Sequence, residues 1–131
     1  MMDEKDAKII EILRANARTK NTDIARSIGL TEGAVRARIA ALKKSGVIKR
    51  FTIEADSVGV EGIVLVSTEA GKTKDIVSRL KEISDTVYET SGEYDAAVLI
   101  RSASVDGLNS AVDRIRELPG VVKTSTLIRL A

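Results

Sequence analysis

The chain has no cysteine and no histidine. The first absence removes disulfides, thiolate metal sites and cysteine nucleophiles together; the second removes the commonest general acid/base and metal ligand. Tryptophan is missing too, and Phe51, Tyr88 and Tyr94 are the only aromatic residues, too few for the stacking platforms by which a sheet holds RNA bases. With no Gly-rich phosphate loop and no clustered carboxylate pair, catalysis has nothing to stand on. A chain that is not an enzyme, with neither metal nor cofactor, is expected. The apolar runs at 62–66 and 96–100 fall far short of the roughly 20 residues that cross a bilayer. The opening Met-Met-Asp-Glu-Lys-Asp has no apolar stretch behind a basic start, so no secretory signal, no membrane role and a cytoplasmic location are expected.

What is present is a polarised charge distribution. The formal net charge is only +2, yet residues 1–50 hold twelve basic and six acidic side chains while 51–131 hold nine and thirteen. Such asymmetry points to a polyanion partner for the first part only. Composition is that of a globular chain, with 44% apolar and 31% charged residues.

Apolar residues in the first part recur with helical spacing. Ile9, Ile10 and Leu13 make one stripe, continued by Ala17. A short second helix runs through Ile24, Ala25 and Ile28, with Asn21 or Thr22 as its cap and Gly29 as its stop. Thr31 caps a third helix whose buried stripe is Val35, Ile39 and Leu42 and which Ser45-Gly46 ends. At about 100° per residue, Gly33, Arg36, Ala37, Ala40 and Lys44 fall on the opposite side. Small residues flanking cations suit close approach to a phosphate-lined groove, whereas a solubilising helix mixes Glu with Lys there. Arg36 is the candidate for guanine, the commonest specific arginine contact. Thr31, Glu32 and Gly33 stand at the helix start, where helix-turn-helix proteins meet bases and phosphates. Arg18, Lys20, Lys43 and Lys44 are candidates for phosphate contacts, which position without reading sequence. Arg38 lies nearer the buried stripe, which predicts structural support.

Residues 47–53 read as a strand through Val47, Ile48, Phe51 and Ile53, and 54–61 as a connector. Beyond it the chain repeats itself at an offset of 35 residues: Val64-Leu65 aligns with Leu99-Ile100, Val77 with Val112, Arg79-Leu80 with Arg114-Ile115 and Val87 with Val122. Each copy reads strand, helix, strand. Two in tandem predict an α+β, ferredoxin-like βαββαβ sandwich, one antiparallel sheet with both helices on one face. The domains expected are 1–50, a helix-turn-helix; 51–61, a strand and linker; and 62–131, the sandwich. Runs 63–66 and 96–100 are apolar throughout, which implies cover on both sheet faces. The helices supply one cover, and a second copy of the chain is expected to supply the other.

These residues together resemble the Lrp/AsnC (feast/famine) transcription regulators. The match runs through Asp6, Ile9-Ile10 and Leu13, Ala17-Arg18, Ile24-Ala25, Gly29-Leu30-Thr31, Val35, Arg38-Ile39 and Leu42, and Gly46-Val47-Ile48. It continues with Gly92-Glu93-Tyr94-Asp95 and Leu118-Pro119-Gly120-Val121, then Thr124 and Thr126. The resemblance implies a DNA-binding regulator with an amino-acid-sensing second domain, assembling as a homodimer and on into octamer-like rings. It also implies an effector pocket between subunits, lined by Gly92, Glu93, Tyr94, Asp95, Thr124 and Thr126. There Asp95 would pair with an α-ammonium group, and backbone N–H groups with the threonine hydroxyls would hold the carboxylate. Without the family, 92–95 reads as a tight turn and the threonines as β-branched packing. Two departures stand out: Lys20 replaces the usual serine that caps the second helix, with Asn21 as an alternative cap, and Ala96-Ala97 are smaller than usual, which bears on the ligand's size.

The reading that results is a sequence-specific regulator of transcription whose partners are double-stranded DNA, a free amino acid and itself. The alternatives are an architectural protein compacting DNA with weak sequence preference, or the amino-acid-sensing regulatory subunit of an enzyme. The last leaves the basic stretch 18–50 unexplained.

Overall fold

The computed structural model describes residues 2–56 and 58–130. The chain divides into two units, one up to Ala55 and one from Asp56 onward.

In the first unit, Asp3 starts helix α1 (Glu4–Ala15) with a reciprocal capping box. Asp6 N donates to Asp3 Oδ1 at 2.9 Å, and Asp3 N donates to Asp6 Oδ2 at 3.2 Å. Helix α2 (Asn21–Ile28) ends at Gly29, whose φ of 71° is left-handed, and Leu30 N closes the turn on Ala25 O at 3.0 Å. Helix α3 (Glu32–Lys44) starts from Thr31, whose Oγ1 accepts from Ala34 N at 3.1 Å. Ile9, Ile24, Ala25 and Val35 form the core, flanked by Ile12, Leu13, Ile28, Leu30 and Ile39.

Three expectations need correction. Ala17 does not continue the stripe of α1, because the helix has already ended at Ala15 and Ala17 is exposed; Ile12 takes part in the core instead. Neither Asn21 nor Thr22 caps α2: Lys20 is the N-cap residue, no side chain caps it, and Asn21 is already inside the helix. Residues 47–53 form no strand. Ile48 N instead turns back onto Leu42 O at 3.0 Å, and among the described residues the segment beyond pairs with no strand. An extended segment becomes a strand only through a ladder.

The second unit runs β1 (Val60–Thr68), α4 (Thr73–Ile83), β2 (Val87–Glu89), β3 (Ala96–Ser102), α5 (Val105–Arg116), β4 (Val121–Ile128). β1 therefore begins inside the stretch expected to be connector. The sheet order is β2-β3-β1-β4, antiparallel at every pair, which is the expected ferredoxin-like sandwich. Val64 and Val66 of β1 and Ala96, Val98 and Ile100 of β3 are buried together with Ile76, Leu80, Leu108 and Ile115 of the helices. The alternate residues of these strands look the other way. Ile63 is 43% exposed and Leu127 of β4 54% exposed, with Leu65, Ala97 and Leu99 half-buried on the same face. Runs that are uniform in hydropathy thus alternate in burial, and one face of the sheet is open and apolar in the single chain.

Candidate functional site

Helix α3 separates its faces as its periodicity predicts. Val35 and Leu42 are buried; Gly33, Arg36, Ala37, Ala40, Lys43 and Lys44 are exposed. Arg36 is the long side chain in the middle of this face, 69% exposed, and its Nη2 lies 3.4 Å from Glu32 Oε2 one turn earlier. A Cβ at Gly33 would meet the Arg36 guanidinium at 3.7 Å, an ordinary contact. Thr31 spends its hydroxyl on the cap, so its cap role accounts for its position. Lys43 holds its Nζ 5.8 Å from the Phe51 ring centroid, a cation–π contact. Arg18 and Lys20 are exposed in the loop before α2 and at its N-cap, and Arg18 N donates to Asn16 Oδ1 at 3.0 Å.

Arg38 is occupied elsewhere. Its Nη1 donates to Asp3 Oδ1 at 2.8 Å, to Asp3 Oδ2 at 2.7 Å and to Asp6 Oδ1 at 3.1 Å. This hydrogen bonding, before any other cause, lowers the Asp3 carboxyl to about 2 and raises the Arg38 guanidinium further. The capping box of α1 is thereby tied to α3, a link of 35 residues in sequence. Asp3 and Asp6 escaped the sequence reading as partners of Arg38, although the supporting role of Arg38 did not.

The residues of the second candidate site lie on the turn between β2 and β3 and on β4, with β1 between them in the sheet. Loop 92–95 is a turn with Gly92 at φ 115°. Thr90 N donates to Asp95 O at 2.9 Å, and Thr90 Oγ1 donates to Tyr94 O at 2.8 Å. Asp95 N donates to Val66 O at 2.9 Å. Asp95 Oδ2 accepts from Thr68 N at 2.8 Å and from Thr68 Oγ1 at 3.2 Å, and that hydroxyl shares a 2.7 Å hydrogen bond with Thr73 Oγ1 at the start of α4. One oxygen of the expected ammonium partner is thus committed to fastening the end of β1. Thr124 and Thr126 stand opposite Val66 and Val64, on the helix-covered side of β4, an edge strand. The loop reaches β4 through Lys123 instead, whose Nζ lies 3.8 Å from Glu93 Oε1 and 5.5 Å from the Tyr94 ring centroid. Lys123 and Thr68 had no signal in the sequence, because only the sheet register brings them to this loop. A cavity of about 450 Å³ opens at the other end of β3, lined by Ser84, Thr86, Arg101, Ser102, Gly107 and Arg114 among others.

Among the described residues, no three or more His, Cys, Asp or Glu side chains group to hold a metal ion, and no helix is long and apolar enough to cross a membrane.

The AsnC-type helix-turn-helix domain matches residues 2–43, and the Lrp/AsnC ligand binding domain matches residues 61–131. The HTH-type transcriptional regulator LysM of Sulfurisphaera tokodaii is 43% identical over 98% of this chain and 95% of its own length. Among solved structures, MtbAldR superposes with a TM-score of 0.83 at 21% identity, covering 99% of this chain and 95% of that one. A feast or famine regulatory protein from M. tuberculosis, complexed with L-methionine, does so with a TM-score of 0.74 at 25% identity, covering 100% and 93%.

Proposed function

Because the chain belongs to the Lrp/AsnC family of transcriptional regulators, we propose that it reads a specific duplex sequence with α3 and answers to a free amino acid held by its second unit. The observation that carries the first half is the outer face of α3. Arg36, Lys43 and Lys44 stand exposed among Gly33, Ala37 and Ala40, so that no bulky neutral side chain keeps the helix from the groove floor. Arg36 reads a base edge; Lys43, Lys44, Lys20 and Arg18 neutralise phosphates.

The amino-acid response draws on the ligand binding domain and on the relative bound to L-methionine. Gly92, Glu93, Tyr94 and Asp95 lie at one end of the sheet, where Asp95 N meets Val66 O and Thr124 of β4 stands opposite Val66 across the ladder. Backbone groups of the loop and the second Asp95 oxygen bind the ligand here, while Oδ2 keeps the loop in shape. A second copy covers the open sheet face through Ile63, Leu99 and Leu127, which pairs two recognition helices and favours a pseudo-palindromic site. The amino acid acts by binding one assembly more tightly than another.

The deciding measurement is competition between a selected duplex and random duplex at stated salt. A specificity ratio of at least about 10³ is expected. Equal binding to both would leave only DNA compaction. A thermal-shift series over the free amino acids names the effector, since a specific ligand raises the midpoint with its concentration over Kd.

A further inference from the structure

Glu32 is the one acid among residues 24–50, which carry seven Lys or Arg. It stands at the first position of α3, on the surface offered to a polyanion, where its charge opposes every phosphate contact the neighbouring cations make. The Arg36 guanidinium lies beside it, with Nη2 3.4 Å from Glu32 Oε2, the arginine exposed and the glutamate half-buried. We propose that Glu32 is a selectivity gate on Arg36. It holds the guanidinium wherever guanine is missing, yields it where guanine O6 and N7 replace the carboxylate, and then accepts from the amino group of a nearby cytosine.

The chemistry allows this exchange. A solvated ion pair at i, i+4 shifts an equilibrium by only about twofold, so releasing Arg36 costs little when guanine offers two acceptors in the fork geometry of a carboxylate. Where the duplex presents another base, Arg36 stays on Glu32 and one cation is withheld from the groove. A carboxylate facing the groove finds one donor suited to it, the cytosine N4 amino group. One helical turn advances about 5.4 Å and one base step about 3.4 Å, so both contacts fall within two base pairs. An acid at a helix start also favours the helix dipole, but an aspartate would serve that purpose as well, and Thr31 already supplies the cap.

This inference rests on the DNA-reading role of α3, and the experiment separates the two. The full chain, wild type and the variants E32Q and E32D, is used to select from a random duplex pool, and each selected duplex is then competed against random duplex at fixed salt. Wild type is expected to enrich, in each half-site, a guanine and, one or two base steps away, a cytosine belonging to a second C·G pair. E32Q keeps the guanine, loses the cytosine, binds random duplex more tightly and shows a specificity ratio about tenfold lower. E32D, which keeps the charge but is one methylene short of Arg36, loses the cytosine as well. The same selected sequence and ratio in wild type and E32Q, or in wild type and E32D, would overturn the gate while leaving the DNA-reading role in place. A wild-type chain that enriches no sequence would remove both.

Discussion

Arg36 and Arg38 stand two residues apart on α3, and at about 100° per residue they face opposite ways. Arg36 is open to solvent beside Glu32; Arg38 is bound by Asp3 and Asp6. The consequence for Arg38 is a dependence on acid. A carboxyl lowered from 3.8 to about 2 contributes stability that is complete above pH 3.8 and is lost as pH falls toward 2. Amide-exchange protection of α1 and α3 is expected to fall across that window, and Asp3→Asn to lower protection at neutral pH while flattening the fall. An Asp3→Asn chain that keeps the wild-type pH profile would detach Asp3 from this link. Asp95 carries a parallel prediction. Asp95→Ala strips Thr68 N of its acceptor, an omission worth about 1–3 kcal/mol, so the thermal midpoint should drop with no ligand present. An unchanged midpoint would return Asp95 to contacting the ligand alone.

Among the helices, capping decides which ends are firm. Thr31 holds the start of α3 by its hydroxyl, whereas α2 starts at Lys20 with no side-chain cap. Thr31→Ala should therefore cost the first unit about 1 kcal/mol. In denaturant melts followed by helical circular dichroism the loss should appear with wild-type cooperativity, and no loss would mean that backbone contacts alone fix this end. Among the strands, the segment 47–53 has the apolar content of a strand without a strand's partners, and Phe51 and Ile53 remain 48% and 83% exposed. Its composition was legible; its pairing was not, because pairing belongs to two segments and only one was in view.

For the chain as a whole, the open sheet face is the feature with the largest consequence. Ile63 of β1, Leu99 of β3 and Leu127 of the edge strand β4 form an apolar surface, and an uncovered patch of this kind marks an interaction site. Leu127→Lys places a charge on that surface without touching the helix-side core. On the proposed pairing of two copies, it should reduce the sedimenting mass and weaken binding to a two-half-site duplex more than to a single half-site. Wild-type mass in that variant would move the assembly surface elsewhere on the chain.

The helices, the sandwich and the outward face of α3 were all readable from order and periodicity, because an element's apolar face is written in its own residues at a fixed spacing. The supporting role of Arg38 was readable in the same way, from its angle on the helix. What these local patterns left open was which distant groups would meet. Arg38 finds Asp3 and Asp6, Asp95 finds Thr68, and Glu93 finds Lys123. They meet because packing and strand register bring together residues 27 to 35 positions apart in the first two cases, and spacing along the chain carries no trace of that. The same cause gives Asp95 a fastening role at Thr68 and sets Thr124 and Thr126 on the helix-covered side of β4.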